Sequence, residues 1–398
     1  MKNTSLTLYI EIDNNNLIFF VCESDIQNYF NQTFKLKVKL DDLENDKISD
    51  FNKIYNVIKK NIYSIEQKLN FTFKEVVLIL ENFDPSFISF TGYKKLNGSQ
   101  VLKENITYIL NSLKSRIDEL ENKKKILHIF NSKFNLDNKI IENLPIGLFG
   151  DLYCHELSFT LINLNDFKNL NNIFQQCNLN IKKVLLKSFI CGALISNNNP
   201  GINSFFQIKI CNKNSKIFYF GNDSLKFEQD FKFGIEIIIK DISKITSLKI
   251  ETVKEILKKI EYKKAFLDDE LIESKFFEDG HYRKIKKKLI NDISKARVKE
   301  ICDLLIFNNK NFKYFSETSQ IIYLKINDTV YSKYLKNIFE DVLSINNKFK
   351  IKILENSSSE NMMKTADKLV HFGWKKEAIP VAQSKKTLIA RIFDTIFG

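Results

Sequence analysis

Apolar and polar positions along the chain follow two periods, and the alternation between them predicts mixed sheets with helices packed on them. Residues 7–22 alternate and predict two strands joined by a polar turn at Asp13 to Asn16. Phe51, Ile54, Tyr55, Ile58, Ile62, Ile65 and Leu69 recur at three- and four-residue steps, which predicts a helix with one apolar stripe, followed by a strand at 75–80. From about 84 to 160 the order becomes strand, helix, strand, strand, with Leu102, Ile106, Ile109, Leu113, Ile117 and Leu120 striping the helix. This stretch reads as a small α+β unit inserted into a larger one. Phe167, Leu170, Ile173, Phe174 and Cys177 predict a further helix, and 181–193 a strand running into a helix.

The cluster Asn197-Asn-Asn-Pro-Gly201 is the strongest turn signal and marks the expected boundary between two halves. Strands are expected over about 203–240, helices near 250–261 and 283–306, and a strand at 320–326 before another helix and a short strand. Repetition of sheet and helices in two halves points to an α/β duplex. Residues 355–383 read as a polar linker.

Composition narrows the function. The 398 residues are 44% hydrophobic, enough for a substantial core divided among two or three domains. Six cysteines lie scattered without CxxC spacing, which points to neither a zinc site nor a disulfide framework. Four histidines have no i, i+4 partner, and no nucleophile motif of the G-x-S-x-G kind occurs, so neither a metal nor a catalytic residue is assigned. No run of about 18 apolar residues lacks charge, so membrane contact is expected to be peripheral. The net charge of +13 arises from basic residues interleaved with acidic ones, the pattern of a solvated surface rather than of a nucleic-acid footprint.

Three stretches carry a family resemblance. Lys125-Ile-Leu-His-Ile-Phe through Leu144-Pro-Ile-Gly-Leu-Phe-Gly150 is similar to a strand and "NPIGM/L-x-G" turn of the FtsA family. The run from Cys177 to Ser188 resembles that family's "C-G-L-x-V" element, and the chain ends in a short amphipathic segment after a linker, as the family's members do. FtsA is the actin-like bacterial protein that ties FtsZ filaments to the inner face of the cytoplasmic membrane. The resemblance implies an actin-like, ribonuclease-H-like duplicated fold. Residues 1–83 and 161–197 would form the first core and 84–160 the inserted subdomain. Residues 198–242 with 308–354 would form the second core, 243–307 a helical subdomain, and 384–398 the membrane helix.

It also implies ATP with Mg²⁺ as cofactor, and the residues that would hold it are altered here. Glycine-bearing hairpins cradle phosphates in such folds, because only glycine lets the backbone approach closely. The family's first loop falls on Glu11-Ile12-Asp13-Asn14-Asn15, with a carboxylate in place of the glycine. Two like charges 4 Å apart repel by roughly 4 kcal/mol at an effective dielectric of 20. The second loop falls on Lys209 to Asn214 and the third on Leu324 to Asp328, neither with a glycine. Gly234, Asp241, Glu255 and Lys258 match nucleoside-side positions, with Glu255 and Lys258 equally readable as a surface helix pair. Binding is expected to be weak or lost and hydrolysis absent. An actin-like ATPase with an unconventional phosphate site and a pilus or secretion adaptor of the same fold are the alternatives.

The last segment has large apolar residues at Leu388, Ile389, Ile392, Phe393, Ile396 and Phe397, which share one face of a helix. Lys385, Lys386 and Arg391 flank that face, as on a helix lying among lipid headgroups. One such anchor is weak and several on a polymer are strong. The resemblance places the FtsZ tail peptide on the helical subdomain, where Arg283, Lys284 and Arg297 would meet its acidic residues. Self-association into a dimer or filament is the remaining implied partnership.

Overall fold

A computed structural model describes residues 5–13, 16–25, 29–40, 51–81, 83–261, 267, 269–277, 283–317, 319–326, 332–344, 349–354 and 358–378. The chain forms two units. One comprises residues 1–201, 222–227 and 358–398, and the other comprises 202–221 and 228–357. The first boundary falls at Gly201, in the turn cluster, where φ is +88°.

In the first unit β1 (Ser5–Asp13), β2 (Asn16–Ser24) and β3 (Phe30–Lys39) form an antiparallel meander, and α1 (Phe51–Leu69) leads back to β4 (Glu75–Leu80). The strand β9 (Asn180–Leu186) closes a sheet ordered β3-β2-β1-β4-β9, with β1, β4 and β9 parallel. Covered on both faces, β4 is an unbroken apolar run, Val-Val-Leu-Ile-Leu. By contrast β3 alternates half-buried positions, apolar except for Gln32, with exposed polar ones, as an edge strand does.

Between β4 and β9 lies the inserted unit. It holds β5 (Ser86–Lys95), α2 (Lys103–Leu120), β6 (Lys124–Leu136), β7 (Lys139–Ile141) and β8 (Leu152–Asn163), and the sheet order is β5-β8-β6-β7. Ile109, Leu110 and Ile117 of α2 pack on this antiparallel sheet. The helices α3 (Leu164–Gln176) and α4 (Lys187–Asn198) then flank β9.

The insert holds a titratable group in an apolar setting. His155 is 1% exposed and its Nε2 shares a hydrogen bond of 2.9 Å with Asn131 Oδ1. Burial pulls its imidazole down to about 4. An unfolded chain therefore binds one more proton than the folded one between about pH 4 and 6.5, so stability is full above that window and falls as the pH drops through it. Urea melts should show about 2 kcal/mol less stability at pH 5 than at pH 7.5 from this residue. The variant His155→Leu should lose that slope.

The second unit repeats the first sheet. Its sheet is built from β10 (Phe205–Ile210), β11 (Ser215–Gly221), β12 (Ser224–Phe231, of which residues 228–231 belong to this unit), β13 (Ile321–Ile326) and β14 (Lys350–Ile353), ordered β12-β11-β10-β13-β14. Again the first three make an antiparallel meander and the last two run parallel to the first. Helices α5 (Ile235–Thr246), α6 (Ile250–Lys259), α7 (Lys287–Cys302), α8 (Lys310–Ser316) and α9 (Ser332–Ser344) complete it. This is the duplicated α/β architecture expected from the sequence.

Two expectations are corrected. The strand region does not extend to 240: Ile235, Ile238, Ile239 and Ile242 are spaced three and four apart and form the buried face of α5. Nor are residues 358–378, within the expected linker 355–383, a linker. The helix α10 (Ser359–His371) follows an N-cap at Ser358, whose side chain accepts from Asn361 N at 3.2 Å. It buries Met363, Ala366 and Leu369 against the first unit, packing on α4 and on β2 and β3. Asp367 is buried with it and accepts hydrogen bonds from Tyr9 Oη at 2.7 Å and Ser24 Oγ at 3.1 Å.

Beyond α10 a strap continues over the same unit. Trp374 Nε1 donates to Asp223 O at 2.6 Å, and Lys375 pairs with Asp223 at 2.7 Å. Asn131 N donates to Lys376 O, and Ala378 N to Ile129 O, so the strap adds a short antiparallel bridge to β6. Glu377, 2% exposed in its side chain, lies between His128 Nδ1 at 3.2 Å and Lys183 Nζ at 3.0 Å. Burial alone would raise its carboxyl, but the hydrogen bond from His128 and the charge of Lys183 outweigh this and hold it below the usual carboxylate range.

Candidate functional site

Open α/β sheets collect ligands beyond the carboxyl ends of their strands. In the first unit three such ends adjoin, those of β1, β4 and β9. Each contributes a charged side chain: Glu11 on β1, Glu81 just after β4, and Lys187 at the first position of α4. Lys187 Nζ donates to Glu11 Oε1 at 2.5 Å and also to Glu81 Oε2, while the carboxylates are 2% and 8% exposed. Burial favours the neutral amine, but the two carboxylates overcome it and hold the ammonium well above the ordinary lysine value. Asp13 ends β1, half-buried and in register with Asn16 across the hairpin. Asn14 and Asn15 lie outside the described residues.

In the second unit the corresponding strand end is that of β10. Its turn closes by Cys211 N donating to Asn214 O at 2.9 Å. The start of α5 faces this turn. Ile235 N donates to Cys211 O at 2.9 Å and Glu236 N to Asn212 O at 2.8 Å, so two amides of the helix N-terminus are already satisfied by the chain itself. Gly234 makes that approach possible. A Cβ there would stand 2.2 Å from Cys211 O and 2.8 Å from Asn212 O. Its glycine thus has a packing reason inside the protein. Of the third loop, Leu324 and Lys325 belong to β13, and Asn327 and Asp328 lie outside the described residues.

The remaining sequence-assigned residues divide as follows. Asp241 on α5 pairs with Arg297 Nε on α7, which joins a residue assigned to nucleotide with one assigned to a partner. Arg297 Nη1 also pairs with Glu300 at 2.5 Å. Glu255 and Lys258 pair with each other at 2.5 Å on the open face of α6, and the carboxyl is held below its usual value by that hydrogen bond. Arg283 Nη1 donates to Ser247 O at 3.2 Å, and Lys284 is exposed. The tail residues Lys385, Lys386, Leu388, Ile389, Arg391, Ile392, Phe393, Ile396 and Phe397 lie outside the described residues. Sequence reading passed over Glu81 and Lys187. Their signal was a charge at the end of an apolar strand, Glu81 after Val-Val-Leu-Ile-Leu and Lys187 after Val-Leu-Leu.

Magnesium triphosphate fits these residues poorly. In sequence neither hairpin turn carries a glycine, Asp13 stands at the end of β1, and two amides at the N-terminus of α5 are bonded to carbonyls of the chain. Oxygen ligands suited to magnesium are present at Glu11 and Glu81, and both are already paired with Lys187.

No family model matches the sequence, and no curated protein sequence does. Solved structures do. The chain is similar to the PilM-PilN type IV pilus biogenesis complex, with TM-score 0.52 and 11% identity over 92% of this chain and 97% of that one. It is also similar to MreB5 of Spiroplasma citri bound to ADP, with TM-score 0.45 and 11% identity over 91% and 96% of the chains. The ethanolamine utilization protein EutJ from Carboxydothermus hydrogenoformans gives TM-score 0.44 and 8% identity over 91% and 89%. The pilus protein's likeness shows the fold. With the repeated sheet order, it makes this an actin-like chain of two ribonuclease-H-like halves with an inserted α+β unit.

Proposed function

We propose that this chain is an actin-like adaptor that fixes a protein filament to the inner face of the cytoplasmic membrane. In its finer form the proposal makes it a relative of FtsA acting at the division site, with the FtsZ tail peptide as the partner. The observation that carries the reading is the course of the chain after the second half. It returns to the first unit as α10, is hydrogen-bonded down to Ala378, and only then enters the segment with the amphipathic pattern at 384–398. Such a chain offers an anchor tethered to a fixed point. Among the described residues no helix is long and apolar enough to cross a membrane, in keeping with a peripheral anchor. The exposed Arg283 and Lys284 of the helical subdomain are the cations proposed to meet an acidic, apolar peptide.

A second reading keeps the body and changes the partner. The PilM of the pilus complex shares the fold, and a pilus-type adaptor would recognise a different peptide. Flotation with anionic liposomes and FtsZ filaments separates these readings. Full-length protein should carry filaments to the top of the gradient. Removal of residues 384–398 should leave both at the bottom, since six large apolar side chains are lost. Flotation that survives the deletion would overturn the anchor, and protein that floats without filaments would overturn the FtsZ assignment.

A further inference from the structure

We propose that Lys187 is a tethered cation standing where a divalent metal ion would bind, so that the first unit needs neither metal nor nucleotide to hold its form. Glu11 and Glu81 lie seventy positions apart in sequence, and the parallel pairing of β1 with β4 brings them together at the ligand-collecting end of the sheet. Two buried carboxylates cannot both remain ionised side by side without a cation between them. Their oxygens are hard donors of the kind that magnesium or calcium takes. What meets them is the ammonium of Lys187, at 2.5 Å from Glu11 and bonded also to Glu81.

That ammonium is held by the fold. Lys187 opens α4, whose next residues Ser188, Phe189 and Ile190 are buried, and β9 immediately before it pairs with β4. A metal ion can leave with its nucleotide, whereas this cation cannot. The Glu11–Lys187–Glu81 bridge therefore ties β1, β4 and α4 together in one fixed arrangement. Asp13 at the neighbouring hairpin adds a further negative charge where a phosphate would need donors. An adaptor built this way is a constitutive scaffold, and its control must come from its partner or its tail.

Thermal melts of the full-length chain test this. The wild type should melt within about 1 °C of the same temperature in about 10 mM MgCl2, in MnCl2, in EDTA or with ATP added. Lys187→Met takes the ammonium away from two buried carboxylates and should melt about 10 °C lower. Magnesium or manganese should restore much of that loss, because the vacated position becomes a metal site. If that variant does not fold, the uncharged combination Glu11→Gln, Glu81→Gln, Lys187→Met should fold and show no metal response. Overturning results are a wild type stabilised by magnesium, a Lys187→Met protein indifferent to both metals, or an uncharged combination that still fails to fold. Melting is read apart from flotation, so the outcome does not depend on where the tail binds.

Discussion

A chain that stops at residue 357 should fail to assemble its first unit, whereas one that stops at residue 378 should melt within a few degrees of the full-length protein. The shorter chain lacks α10 and the strap, and with them Asp367, the shared acceptor for Tyr9 Oη and Ser24 Oγ, both buried. Burying Met363, Leu369 and Trp374 is worth about 1.5–3 kcal/mol each. Loss of Glu377 leaves Lys183 buried without its carboxylate, which costs about 3–5 kcal/mol. Together these come to on the order of 10 kcal/mol, comparable with the whole stability of an ordinary domain. Limited proteolysis and circular dichroism should find the 357-residue product largely unfolded in its first unit. Equal melting of the two truncations would contradict the role given to α10.

Replacing Gly234 by alanine should be the most damaging single-residue change in the second unit. The added Cβ would sit 2.2 Å from the carbonyl oxygen of Cys211, a backbone atom that no rotamer change can move aside. Relief requires parting α5 from the β10–β11 turn, which breaks the hydrogen bonds from Ile235 N and Glu236 N. Overpacking and two lost bonds amount to about 3–5 kcal/mol, readable as a lowered urea midpoint. Glu255→Ala should leave the same midpoint unchanged, since its pairing with Lys258 lies on the open face of α6. Were Gly234 a ligand contact and nothing more, the alanine variant would melt normally.

Much of the architecture was legible in the hydrophobic pattern. Helix α1 coincides with the stripe from Phe51 to Leu69, and the inserted unit follows the order strand, helix, strand, strand read from residues 84–160, with the short β7 added between the last two strands. The misses have physical causes. β3 alternates Phe30, Gln32, Phe34, Leu36 and Val38 with Asn31, Thr33, Lys35, Lys37 and Lys39, but its apolar side is only half-buried, so lysine-rich composition hid an edge strand. The first half of α5, up to about residue 240, reads as strand because Ile-Ile-Ile at 237–239 favours strands, and the buried spacing of Ile235, Ile238, Ile239 and Ile242 overrides that propensity. α10 is hard to read because its buried face carries three small or polar residues, Thr365, Ala366 and Asp367. The donors to Asp367, Tyr9 in β1 and Ser24 in β2, lie 358 and 343 residues away, which no local window can see.

At the candidate site, the missing glycines were visible in sequence, and what replaces them was not. That Lys187 answers Glu11 and Glu81 follows from three parallel strands ending together, a fact of topology. Asp241, assigned to nucleotide by motif position, and Arg297, assigned to an acidic partner peptide as a cation of the helical subdomain, pair with each other across α5 and α7.

The strap beside β6 has a mechanical meaning. Tension applied beyond Ala378 reaches first the antiparallel bridge formed by Asn131, Ile129, Lys376 and Ala378, and behind it the Trp374 indole bonded to Asp223 O. Several bonds to the body thus stand between a pull on the tail and helix α10, so a load would have to peel the strap before it could draw out the helix that completes the first unit.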